Sequence, residues 1–189
     1  MRPIASRKGE AMDAKKIYLL QVAHNGIPEE LFRTFSRGEQ SMLEKKKDGK
    51  YCLLPSYRNR FRVVLTGGVF DILHIGHILT LNEAKKQGDL LVAVIATDSR
   101  VEATKKRKPV HDAEYRRAMV SYLKPVDLAI VGGADMMETL SRVSPDTVAF
   151  GYDQFPMRLP EGVNSIHLKD VVSDPKMAKT SRIIRELGL

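Results

Sequence analysis

The chain has 189 residues, 43% of them hydrophobic, and carries 31 Lys and Arg against 23 Asp and Glu, a formal net charge of +8. That leaves room for one α/β domain of ordinary size plus a small addition, with a core of normal apolar content. The longest apolar runs, such as residues 90–96, are too short to span a bilayer, no apolar leader opens the chain, and the single Cys52 has no disulfide partner. A cytoplasmic protein without thiol redox chemistry is therefore expected.

Residues 1–12 are polar and basic without periodicity and read as a disordered tail. A small helical module is expected over 13–54. Ala14, Ile17, Tyr18, Leu20 and Gln21 suggest a first helix ended by Asn25-Gly26, and Pro28 opens a second through Leu31, Phe32 and Phe35. Ser36 is positioned to cap a third helix through Met42, Leu43 and Lys47, and Asp48-Gly49 turns the chain into a strand over 50–54. Three helices and a strand are winged-helix-like, with Lys45-Lys46-Lys47 near the end of the third helix, so DNA is one partner to consider. Residues 1–60 hold 13 Lys and Arg against 7 Asp and Glu, whereas 61–189 hold 18 against 16. Such a basic excess serves nucleic acid, an acidic partner surface or simply a solvated face, the last being the default. Residues 55–60 lack an apolar pattern and read as a linker.

From residue 61 onward, strands and helices alternate. Strands are expected at 62–66, 90–97, 127–131, 147–150 and 163–168, and helices at 78–88, 112–123, 134–143 and 180–187. This is the pattern of a Rossmann-like, doubly wound parallel sheet. In the helix from Asp112, Tyr115, Ala118, Met119, Tyr122 and Leu123 recur at helical spacing and are expected to face the core.

The chemistry concentrates after the first of these strands, in Gly67-Gly68-Val69-Phe70-Asp71-Ile72-Leu73-His74-Ile75-Gly76-His77. Gly67 and Gly68 let the backbone turn sharply and approach a ligand closely. His74 and His77 fall at or just before a helix N-terminus, where N–H groups and the helix dipole favour an anion. A zinc site is the alternative for two histidines, but no Cys or carboxylate cluster nearby completes a shell, so no protein-bound metal is expected. Open parallel sheets bind ligands beyond the carboxyl ends of their strands. The same cleft is therefore expected to hold Asp98 after the second strand and Gly151-Tyr152-Asp153-Gln154 after the fourth. Thr180-Ser181 falls at the start of the last helix, where hydroxyls and amides hold phosphate oxygens or merely cap the helix. The run Lys105-Lys106-Arg107-Lys108-Pro109 reads as a mobile basic arm that closes over phosphate, against the plainer reading of a solvated loop. Arg116, one turn into the next helix, is expected to reach toward the same charge.

Gly-x-Phe-Asp-x-x-His-x-Gly-His after a first strand resembles the signature of the cytidylyltransferase-like nucleotidyltransferases, and the resemblance covers about two thirds of the chain. The loop is shared by archaeal-type FAD synthases and glycerol-3-phosphate cytidylyltransferases. Arg107-Lys108-Pro109, Lys124-Pro125-Val126-Asp127 and Gly151-Tyr152-Asp153-Gln154 are more similar to the former. The resemblance implies transfer of AMP from ATP to FMN with release of pyrophosphate, Mg²⁺ held through the substrate phosphates, and a homodimer. It places Val69, Phe70, His74, Ile75, Gly76, His77 and Asp153 around ATP. On this reading His74, His77, Lys106 and Arg116 are catalytic, Gly67, Gly68, Thr180 and Ser181 add to the nucleotide site, and Asp98, Arg107 and Lys108 meet the acceptor.

Overall fold

The computed structural model describes residues 12–133, 135–151, 154 and 158–168. The first helix, α1 (Ala14–His24), starts where the Asp13 carboxylate accepts from the Lys16 N–H and stops where Asn25 enters the left-handed region at φ 51°. One-turn helices α2 (Glu29–Phe32) and α3 (Arg37–Gln40) follow. Ser36 does cap α3, in a reciprocal box with Glu39, but the helix is not the long one expected through Lys47. Residues from Leu43 pair instead as β1 (Leu43–Lys45) with β2 (Tyr51–Leu53), an antiparallel hairpin closed at Gly49, φ 85°. Cross-strand pairing overrides local helix propensity here. Lys45 consequently lies on a hairpin and pairs with Glu29 at 2.9 Å, and no helix carries the three lysines. A groove-reading helix needs more than the four residues of α3.

Residues 55–60 are not an extended linker. Pro55 opens a turn of helix, α4 (Pro55–Arg58), and Arg58 ties it down by donating to the Phe61 carbonyl (3.0 Å), the Ser144 carbonyl (2.8 Å) and the Asp146 carboxylate (2.8 Å).

The sheet begins at β3 (Val63–Gly68), followed by α5 (Ile75–Lys85), β4 (Leu90–Ile95), α6 (Asp98–Lys105), α7 (Ala113–Ser121), β5 (Leu128–Val131), α8 (Met136–Val143), β6 (Thr147–Phe150) and β7 (Asn164–His167). All five strands are parallel, in the order β5-β4-β3-β6-β7. This is the doubly wound arrangement, and its order reverses between β3 and β6. Helix α6 occupies a stretch for which no element was expected, ending where the basic run begins; the Thr97 side chain accepts from the Arg100 N–H and starts it. The last expected helix, 180–187, lies outside the described residues. Among the described residues no helix is long and apolar enough to cross a membrane.

Strand pleating sorts the core into two faces. Val64, Leu91, Ala93, Ile95, Ala129 and Ala149 pack with Leu81 and Ala84 of α5 and Val120 of α7. Val63, Leu65, Leu90, Val92, Val94, Leu128 and Ile130 share the other cluster with Ile17, Tyr18 and Val22 of α1 and with Leu140 and Val143 of α8. The first helix thus roofs one face of the catalytic sheet, and its Tyr18 hydroxyl donates to the Val143 carbonyl at 2.6 Å. In α7 the buried positions are Arg116 and Val120; of the expected core face, Tyr115 and the C-cap Tyr122 are 53% and 63% exposed, whereas Ala118, Met119 and Leu123 are half-buried. The reason is the buried guanidinium of Arg116, whose polar partners set the rotation of the helix.

Candidate active site

The order reversal between β3 and β6 opens a crevice at their carboxyl ends, and residues 67–77 line it from the β3 side. The chain leaves β3 through Gly68 into Phe70, which holds φ 52° and is 3% exposed. A left-handed backbone at a bulky residue is costly, and the close packing around it keeps it there. Gly68 makes room, since a Cβ at that position would lie 2.6 Å from the Phe70 ring. Gly68→Ala is therefore expected to displace that ring and lower kcat/KM roughly ten- to hundredfold. Steady-state kinetics check this, and unaltered kinetics would free the loop from any need for the ring's position.

Helix α5 starts three residues earlier than its apolar pattern suggests. His74 is its N-cap and His77 its third residue. Their rings stack at 3.9 Å between centroids, and the Phe70 ring lies 5.2 Å from that of His77. The His74 N–H donates to His77 Nδ1 over 3.4 Å. An accepting Nδ1 puts the proton of a neutral imidazole on Nε2, the tautomer that donates outward. The start of α5 adds the N–H groups of Ile75 and Gly76, while that of His77 donates to the His74 carbonyl at 3.0 Å.

Asp71 is the hub that joins this loop to the segment before α7. Its side chain is fully buried and accepts from the N–H groups of Val110 (2.9 Å) and His111 (3.1 Å) and from Arg107 (2.9 Å). Burial alone would push the Asp71 carboxyl up. The two N–H groups and the Arg107 guanidinium outweigh it and hold the group below the usual carboxylate range. A folded-state value below the unfolded one makes this stabilisation complete above ordinary carboxylate pH and lost as pH falls through the folded value. Asp71→Ala leaves two N–H groups unsatisfied, for about 2–3 kcal/mol. The thermal midpoint at pH 7 should fall by roughly 4–12 °C and lose part of its acid dependence. Calorimetry across pH reads both, and a variant as stable as the parent would remove Asp71 from this role.

Arg116, expected to reach toward phosphate, is instead fully buried. It donates to the Val69 carbonyl (2.7 Å), the His111 carbonyl (2.9 Å) and the Asp98 carboxylate (2.5 Å). Arg116 and Asp98 therefore fasten the glycine loop to α6 and α7, as positioning residues. Arg107, expected in a mobile arm, is half-buried against Asp71, whereas Lys106, in the left-handed C-cap of α6, and Lys108 are exposed. From the β6 side, the Gln154 side chain donates to the Gly67 carbonyl and accepts from the Gly151 N–H, both at 2.8 Å. Asp153, Thr180 and Ser181 lie outside the described residues. The arrangement brings together Gly67, Gly68, Val69, Phe70, His74, Ile75, Gly76 and His77. The hub role of Asp71 was missed by sequence reasoning, although its place inside the motif was a signal; so was the stacking of His111 on Tyr115, 4.5 Å between ring centroids, although residues four apart at a helix start are neighbours.

Known proteins resemble this chain. The cytidylyltransferase-like family model matches residues 65–185. Over 144 residues the chain is 40% identical to the FAD synthase of Thermococcus kodakarensis, with 69% of this chain and 93% of that protein covered. It is 41% identical over 138 residues to the FAD synthase of Pyrococcus abyssi, covering 68% and 93%. The FAD synthase of Aciduliprofundum boonei is 53% identical over 92 residues, which span 48% of this chain and 61% of that relative's length. A crystal structure described as the lipopolysaccharide core biosynthesis protein of Thermoplasma volcanium superposes with a TM-score of 0.51 at 40% identity, over 57% of this chain and 95% of that one. The glycine and histidine loop at the reversal of the sheet and the extent of these matches lead to one statement: the chain belongs to the cytidylyltransferase-like family.

Proposed function

We propose that this protein is an FAD synthase, transferring AMP from ATP to FMN. The observation that carries the reading is the histidine loop at the order reversal, in a chain whose relatives of matching length are FAD synthases. A phosphate oxygen of FMN forms a bond to the α-phosphorus of ATP. The bond from that phosphorus to the bridging oxygen breaks, and its electron pair leaves with pyrophosphate. No covalent enzyme intermediate is required, so the protein's task is to position two anions and stabilise the charge that builds on their oxygens. His74 and His77 supply imidazole donors, the first turn of α5 supplies N–H groups, and Lys106 and Lys108 supply mobile positive charge at the rim. Arg116, Asp98, Asp71 and Gln154 act through these groups by holding their backbones.

Among the described residues no cluster of three His, Cys, Asp or Glu is placed to hold a metal, and the donors around the loop suit anions. A divalent ion such as Mg²⁺ would fit bound through the substrate phosphates, where it would supply neutralisation of the charge on the pyrophosphate. Asp153, Thr180 and Ser181 complete the nucleotide site in this reading, and the active species is a homodimer.

The test is pyrophosphate release in Mg²⁺ buffer from ATP or CTP paired with FMN or glycerol 3-phosphate, with chromatography of the products. FAD from ATP and FMN alone is the expected result. CTP with glycerol 3-phosphate as the productive pair would keep the loop chemistry and overturn the substrates.

A further inference from the structure

Resting on the reading of FMN as acceptor, we propose that the stacked pair His111–Tyr115, with exposed Val110 beside it, is the platform on which the acceptor's aromatic ring system lies. It would thereby distinguish a flavin from a small phosphorylated polyol. The His111 and Tyr115 rings stand 4.5 Å apart and within 8° of parallel. Tyr115 is 53% exposed and Val110 46%, and neither contributes to the two core clusters. Large apolar side chains left in water beside a reaction loop are the usual material of a ligand surface.

Placement connects the pair to the reaction. Asp71, three residues before His74, binds the N–H groups of both Val110 and His111, and His111 Nδ1 lies 3.2 Å from the Asp71 carbonyl. The platform is thus fastened to the loop that carries the histidines. Between the two along the chain come Arg107 and the exposed Lys108. The order along the chain, cationic and then aromatic, matches an acceptor with a phosphate monoester at one end and a flat tricyclic ring at the other. Glycerol 3-phosphate has no ring to place there. A tyrosine already held parallel to a second ring loses little side-chain freedom on stacking, so the surface is preorganised.

The test compares the parent with Tyr115→Ala and Tyr115→Phe in three measurements: KM for FMN and for ATP, quenching of FMN fluorescence on binding, and molar mass by light scattering. Loss of one stacking partner predicts a roughly five- to hundredfold higher KM for FMN in Tyr115→Ala, from the range for single aromatic stacking contacts. Fluorescence quenching should weaken in the same variant, KM for ATP and molar mass should stay as in the parent, and Tyr115→Phe should restore FMN binding. Wild-type protein that makes FAD while Tyr115→Ala keeps the parent KM for FMN overturns the platform and leaves FAD synthesis standing. A raised KM accompanied by a lower molar mass overturns it as well, by assigning Tyr115 to subunit contact. Wild-type protein that neither binds FMN nor makes FAD overturns both readings.

Discussion

Replacing His74 or His77 by alanine is expected to lower turnover roughly 10²- to 10⁴-fold while leaving the fold intact. The size follows from the reaction: with no covalent chemistry to perform, the enzyme's contribution lies in donors already aimed at developing charge, and each imidazole is one of few. The two replacements should not be equivalent. His74 is the N-cap of α5 and half of the ring stack, whereas His77 also accepts from the His74 N–H and lies against Phe70. His77→Ala therefore removes a donor and loosens the loop, and it should raise KM for ATP as well as lowering kcat. His74→Ala should act mainly on kcat. Neither histidine belongs to the two core clusters, so thermal midpoints should change little. Single-turnover and steady-state measurements on the two variants, with circular dichroism as a control, check this. Parental turnover in either would remove that histidine from the chemistry.

Removing residues 1–58 is expected to abolish folding of the remainder. The segment looks dispensable in sequence, as a basic addition ahead of a complete α/β pattern. In the structure Ile17, Tyr18, Val22 and Ile27 are fully buried, and the first three cover the face of β3, β4 and β5 that α5 and α7 leave open. Each such side chain contributes about 1.5–3 kcal/mol on burial. Their joint loss approaches the roughly 5–15 kcal/mol that holds a domain together. The truncated chain should form inclusion bodies or expose hydrophobic surface to a dye. A soluble, cooperative and active 59–189 fragment would refute this. Single substitutions read the same contact in the intact chain. Tyr18→Ala should cost about 3–5 kcal/mol. Tyr18→Phe should cost about 1 kcal/mol, because it removes only the hydrogen bond to the Val143 carbonyl. Burial also pushes the Tyr18 phenol above its ordinary pKa, so it stays protonated across the working range of pH.

The parts legible in the sequence were those dictated by local pattern. Apolar runs became β3, β4, β5 and β6, with β6 spanning the expected residues, because a strand packed on both faces must be largely apolar, whereas β7 is a part-exposed edge strand of mixed composition. The histidine loop was legible because glycines, an aromatic, a carboxylate and two histidines follow the first strand in a spacing that resembles the family signature. What tertiary structure alone decided were the exceptions to local rules. Residues 43–45 have helix-compatible side chains and form a strand because residues 51–53 offer a ladder. Tyr115 and Tyr122 turn outward while Arg116 turns in to meet the Val69 carbonyl, the His111 carbonyl and Asp98, and satisfying a buried guanidinium outweighs covering two tyrosines. Within the basic arm Arg107 alone is pinned, by Asp71, which lies 36 positions away along the chain and 2.9 Å away in space. Contacts of that separation leave no periodic trace, so the sequence by itself determined the sheet and the reacting loop, and the folded chain decided which charged groups face the substrate and which hold the loop in place.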